Sequence, residues 1–121
     1  MLSREIQKVH NFTLPEWANS TVMAKMGELR GISFSVSSGT TELKRLYGGP
    51  LLKRLMTNMR ESSTKSKRKM FVHSAHDDTL GAVMSSMGIF NSRIPPYASS
   101  LIVELHEEEN TGKYFVEVNY S

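Results

Sequence analysis

A chain of 121 residues, 39% hydrophobic, 22% charged and 8% aromatic, is long enough for one domain with a core, too short for two, and unlike disordered or fibrous compositions. It has no cysteine, which excludes a disulfide framework, a cysteine-ligated zinc module and a thiol nucleophile. The 15 basic and 12 acidic side chains leave a formal charge of +3, much of it in Lys65-Ser66-Lys67-Arg68-Lys69; with no aromatic residues interleaved, that run reads as a solvated loop, and no nucleic-acid partner is expected.

From the N-terminus, Met1-Leu2-Ser3-Arg4-Glu5 has neither a basic region nor an apolar stretch, so no signal peptide is read there. No window approaches the roughly 20 apolar residues of a membrane span. Thr13-Leu14-Pro15-Glu16 has the form of a capping box and predicts a helix over residues 15–29, followed by a Ser- and Gly-rich loop over residues 32–41. Gly48-Gly49-Pro50 opens a second helix to residue 60, in which Leu52, Leu55, Met56 and Met59 share one face. Its methionines read as core filler.

Met70-Phe71-Val72-His73 is short and apolar and predicts a buried strand that ends at Ser74-Ala75-His76-Asp77. Leu80, Val83, Met84 and Met87 then follow helical spacing, with Asp77 or Asp78 placed to cap the helix and Asp78 favoured for that role. Residues 91–99 contain Pro95 and Pro96 and cannot be a central strand, because two consecutive donors are missing. Leu101, Val103 and Leu105 alternate with Ile102, Glu104 and His106, and Tyr114, Val116 and Val118 alternate with Phe115 and Glu117, which predicts an antiparallel hairpin. The class is α/β or α+β, with a small sheet that calls for neighbours. Asn11-Phe12-Thr13, Asn19-Ser20-Thr21 and Asn119-Tyr120-Ser121 make Asn11, Asn19 and Asn119 candidate N-glycosylation sites.

The densest polar cluster is His73-Ser74-Ala75-His76-Asp77-Asp78-Thr79, where strand meets helix. Ligands of open α/β sheets bind beyond the carboxyl ends of strands, and a helix start favours an anion such as phosphate. A cationic His76 can hold a phosphate oxygen while Asp77 protonates the leaving oxygen. Purely structural roles are open as well: an N-cap aspartate and a core His73. So is a metal site built from His73, His76 and Asp77, which the strand assignment weakens, because residues 73 and 76 would point to opposite faces.

The segment from Phe71 to Thr79 resembles the Ser-Ala-His-Asp-Thr segment of histidine acid phosphatases, in their prostatic and lysosomal branch. Asn11-Phe12-Thr13-Leu14-Pro15-Glu16-Trp17-Ala18, Gly48-Gly49-x-Leu51, Ile94-Pro95-Pro96-Tyr97-Ala98-Ser99 and residues 101–105 resemble the same family in the same order. The resemblance implies the C-terminal part, over residues 1–121, of an α/β domain of phosphoglycerate mutase-like fold, its sheet flanked by helices. It implies hydrolysis of small phosphate monoesters through a phosphohistidine, without a cofactor, with His76 as a phosphate-binding histidine and Asp77 as the proton donor. A secreted or lysosomal location and a homodimer of the full-length enzyme are further implications.

The family's nucleophile lies in an Arg-His-Gly-x-Arg-x-Pro motif, which this sequence does not contain, and His10, followed by Asn11, lacks its flanking residues. The chain alone is therefore expected to be inactive. A second departure is Ser100, where close relatives often carry a cysteine. The competing expectations are a non-catalytic secreted binding protein derived from the family and a metal-dependent phosphohydrolase.

Overall fold

A computed structural model describes residues 2–64 and 67–121; Met1, Lys65 and Ser66 lie outside the described residues, and with them the start of the basic run, whose Lys67, Arg68 and Lys69 are exposed. Among the described residues, five helices and one hairpin follow in chain order: α1 (Leu2–Val9), α2 (Ser20–Ser37), α3 (Thr41–Tyr47), α4 (Gly49–Thr64), α5 (Asp77–Met87), β1 (Leu101–Glu107) and β2 (Tyr114–Tyr120).

The predicted helix over residues 15–29 is displaced. Residues 13–16 do not form a capping box; Ala18 N–H donates to the Pro15 carbonyl in a turn, and α2 starts after Asn19, whose extended backbone lets its Oδ1 accept from Val22 N–H at 3.0 Å. The helix also runs through Gly31 into the stretch predicted as a loop. The serines there are accommodated by bonding back onto the helix: Ser35 Oγ donates to the Gly31 carbonyl at 3.1 Å and Ser37 Oγ to the Ser33 carbonyl at 3.0 Å. Thr40 then caps α3, an element that the sequence did not announce, by accepting from Leu43 N–H.

The helices gather around α5. Gly81, Ala82, Val83, Met84 and Ser85 are all buried on it, Val83 being only 2% exposed, and α2, α3 and α4 all pack against it. Hydroxyls tie the bundle together: Ser38 Oγ on the end of α2 donates to Ser85 Oγ at 2.8 Å in a buried pair, and Ser86 Oγ donates to the Lys44 carbonyl of α3 at 2.9 Å. Gly48 sits where a Cβ would collide with the Ala82 carbonyl and Ser86 Oγ, so α5 approaches the α3–α4 junction only because that residue has no side chain. The α5 C-terminus closes on Gly88 in the left-handed region (φ 77°), with Ile89 N–H returning to the Met84 carbonyl.

α4 keeps most of the face its spacing predicts, with Leu52, Leu55 and Met59 half-buried. Asn58 is its buried residue, whereas Met56 is exposed; among the described residues neither polar atom of the Asn58 amide has a hydrogen-bond partner. The predicted buried strand over residues 70–73 is not formed: these residues have no regular structure, and Met70 and Val72 are 75% and 77% exposed. A buried strand needs neighbours on both edges, and among the described residues the sheet consists of β1 and β2 alone.

The hairpin matches its prediction, with antiparallel register from Leu101 opposite Tyr120 to Glu107 opposite Tyr114. Leu105 and Val116 point toward α4 across a groove of about 270 Å³ that Met56, Met59 and Tyr114 also line. Glu104, His106, Phe115 and Glu117 therefore occupy the opposite face, since successive strand residues alternate.

Candidate functional site

The predicted cluster falls at the start of α5, with a different division of labour. The helix begins one position before the expected cap: His76 is the N-cap, in extended conformation (φ −107°, ψ 168°), and its carbonyl accepts from Thr79 and Leu80 N–H. Its imidazole makes no capping bond. Asp78 is consequently not the cap. Asp77 and Asp78 instead lie in the first turn, where negative charge is favoured by the N–H groups that have no helical acceptor.

Each aspartate is held by a distant element. Asp77 Oδ2 accepts from Arg30 Nη2 of α2 at 2.9 Å, while its Oδ1 accepts from the Asp78 N–H at 2.9 Å. The Arg30 and Asp77 side chains are only 20% and 33% exposed, so this is a partly sheltered pair rather than a loose surface bridge. Arg30 also lies over the Phe34 ring, 5.7 Å from its centroid, which limits the swing of the guanidinium. Asp78 Oδ2 accepts from the Tyr47 hydroxyl of α3 at 3.0 Å. That hydrogen bond, reinforced by burial and by the charges of Asp78 and Asp77, raises the Tyr47 phenol above its ordinary value.

His73 and His76 are both exposed, and neither imidazole makes a hydrogen bond among the described residues. His73 is thus not a satisfied core histidine. His73, His76 and Asp77 do not bring their ligand atoms within 4.8 Å of one another, so the predicted three-residue metal set is not assembled among the described residues. Arg30 and Tyr47 escaped the sequence reading because they lie 47 and 31 residues from their partners, with no local pattern linking them. A separate cleft of about 200 Å³, lined by Ser35, Ser38, Lys44, Ser85 and Ser92 among others, opens near the far end of α5 and contains neither His76 nor Asp77.

The candidate glycosylation residues are all exposed. Asn19 uses its Oδ1 for the α2 cap, Asn119 donates its Nδ2 to Glu117 Oε1 at 3.0 Å, and Asn11 adopts a left-handed backbone (φ 56°).

A histidine-aspartate pair at the head of a buried helix, with an arginine from a second helix on the carboxylate, is an arrangement suited to an oxyanion ligand. The chain belongs to the histidine phosphatase superfamily (branch 2), whose family model matches residues 1–121. The five helices and small sheet accordingly constitute α/β structure of that superfamily's domain. Among curated relatives, human prostatic acid phosphatase is 38% identical over 118 residues, and Xenopus laevis lysosomal acid phosphatase 35% over 119. A venom acid phosphatase of Apis mellifera is 30% identical over 118 residues. In each case 94% of this chain is aligned, but it spans only 30%, 27% and 30% of the respective relatives. No helix among the described residues is long and apolar enough to cross a membrane.

Proposed function

We propose that residues 1–121 form the acid-donor part of a single acid phosphatase domain, and that the complete domain hydrolyses small phosphate monoesters through a phosphohistidine. The observation that carries this reading is the exposed His76 side chain beside Asp77 at the head of α5, with Asp77 tied to Arg30. A histidine outside these residues attacks phosphorus, the P–O bond to the alcohol breaks, and the departing oxygen takes the Asp77 proton. Water then attacks the phosphorus of the phosphohistidine, giving a proton to Asp77, the P–N bond breaks to restore the histidine, and phosphate leaves. His76, as the imidazolium, binds a non-bridging phosphate oxygen throughout.

Both carboxylate oxygens of Asp77 already accept hydrogen bonds, so donation requires that one be released. The proposal assigns that release to the substrate: its phosphate is itself a guanidinium ligand and draws Arg30 away from Asp77. Residues 1–121 supply no arginine-flanked nucleophilic histidine, and the chain alone is proposed to be inactive. The names of the relatives and the exposed Asn11, Asn19 and Asn119 support a secreted or lysosomal setting with glycans at those positions.

The test is a chimera in which residues 1–121 replace the matching segment of the prostatic relative, assayed with an aryl phosphate at acid pH. Turnover is expected in the chimera and not in the isolated chain, with Asp77→Asn lowering kcat by about 100-fold or more and His76→Ala raising KM for phosphate ester as well. A folded chimera whose turnover survives Asp77→Asn, or whose activity a chelator removes, refutes the assignment.

A further inference from the structure

The outward face of the hairpin carries a second constellation, remote in sequence from His76 and Asp77. Glu104 and Glu117 are direct cross-strand partners, and His106 lies two residues along β1 on the same face. Like charges placed directly opposite one another destabilise a strand pair unless something positive lies between them. The His106 Nε2 atom lies 3.5 Å from Glu104 Oε2 and 3.8 Å from Glu117 Oε2, and one ligand atom from each of the three residues lies within 4.8 Å of the others.

Three further features show that the set is positioned rather than merely near. His106 Nε2 is shielded from solvent and has no hydrogen-bond partner among the described residues, although the side chain as a whole is 41% exposed, so the covered edge of the ring is the one facing the carboxylates. The ring stacks on its cross-strand neighbour Phe115, with centroids 5.1 Å apart and planes 11° from parallel, which fixes where Nε2 points. The Asn119 amide holds Glu117 Oε1 at 3.0 Å and leaves Oε2 for the cluster, the kind of outer contact that orients metal-binding carboxylates.

We propose that Glu104, His106 and Glu117 bind one divalent transition-metal cation, zinc being the best match, at an open site on the hairpin. Imidazole with two carboxylates is a borderline-to-hard donor set suited to zinc. Ligand bonds of about 2.0–2.1 Å in a tetrahedron place the donor atoms about 3.3–3.4 Å apart, so the 3.5 and 3.8 Å separations from His106 are already close to that geometry, and the two carboxylate oxygens, within 4.8 Å of each other, are left to draw together on the cation. The imidazole then carries its proton on Nδ1 and offers the Nε2 lone pair, and the fourth position is left to water. The cation would cancel the repulsion between Glu104 and Glu117 and clamp β1 to β2.

Residues 1–121 titrated with zinc chloride by calorimetry, and with cobalt(II) as a spectroscopic substitute whose visible bands report tetrahedral geometry, provide the test. One equivalent is expected to bind, with His106→Phe, which keeps the stack on Phe115, and Glu104→Gln each weakening affinity at least about tenfold, and Asn119→Ala weakening it by a smaller factor. The double variant His73→Ala/His76→Ala is expected to bind zinc as the unaltered chain does. Far-UV circular dichroism confirms that each variant retains its secondary structure. No zinc uptake, affinity unchanged in a folded His106→Phe, or affinity lost in the His73/His76 double variant would overturn the proposal. The first outcome leaves Glu104, His106 and Glu117 as a cross-strand ion-pair cluster without a metal, and the last moves the metal to the head of α5.

Discussion

The phenol of Tyr47 is half exposed, yet its hydroxyl is committed to Asp78, and that contact locks the C-terminal residue of α3 to the first turn of α5. The consequence has a definite sign. Folding raises the phenol's pKa above about 10, so the protonated form is the one the fold favours. The stabilisation is complete below that ordinary value and is lost as pH rises through the higher folded-state value, when phenolate and carboxylate repel. Phenolate absorbance followed from neutral to alkaline pH should therefore show a late-titrating component. Asp78→Asn should bring that component back toward the ordinary range without altering behaviour near neutrality, and an unchanged late component in Asp78→Asn would mean that the contact does not persist in solution. Tyr114, which donates to Glu107 at 3.1 Å, is raised for the same reason, so Tyr47→Phe should remove only part of the late signal.

At the scale of elements, the close approach of α5 to the α3–α4 junction predicts a contrast between two adjacent glycines. Gly48→Ala drives a methyl group into the Ala82 backbone, which cannot move without shifting α5, and should cost about 2 kcal/mol in denaturant unfolding. Gly49→Ala meets nothing nearer than the Lys44 carbonyl at 3.4 Å, lies at the first position of α4, and should be neutral or stabilising by up to about 1 kcal/mol. Equal effects would show that the junction is not packed this way. The same elements show what was legible beforehand. α5, α4 and the hairpin have periodicities, caps and turn residues of their own, and each was readable to within a few residues. The beginning of α2 was decided by Asn19 over Thr13, two capping signals of similar strength, and its extension through Gly31 depends on packing against the loop carrying Ser92. The strand over residues 70–73 was read from an apolar run whose burial depends on neighbouring strands, and no run of residues carries that information about its surroundings. The candidate site was legible in its local pair, His76 and Asp77, and invisible in the contacts with Arg30 and Tyr47 that give it shape.

For the whole molecule, the distribution of apolar surface argues most about state. Ala18, Ala82, Val83 and Met84 are the buried hydrophobic residues among those described, a small core for a chain of 121 residues. Leu29, Ile32 and Val36 form an exposed stripe along α2, Met70 and Val72 project from the segment leading to His76, and the buried Asn58 amide finds no partner among the described residues. A domain that is complete on its own rarely leaves so many large apolar side chains exposed and a core amide unsatisfied. On the proposed reading, in which residues 1–121 are part of a larger domain, these surfaces would face its remainder, and the isolated chain should satisfy them on itself; the chain spans 30% of the length of its prostatic relative. Sedimentation velocity of residues 1–121 should show self-association that grows with concentration, together with a broad thermal transition. Leu29→Lys combined with Val36→Lys should shift the distribution toward monomer at little cost in helix content, because lysine has a high helix propensity and both positions face solvent. In the chimera the same pair of lysines should instead be disruptive if, as proposed, the remainder of the domain covers the stripe. A monomeric isolated chain with a sharp, concentration-independent melt would show that the described helices and hairpin suffice as a folding unit, and the stripe on α2 would then be ordinary exposed surface.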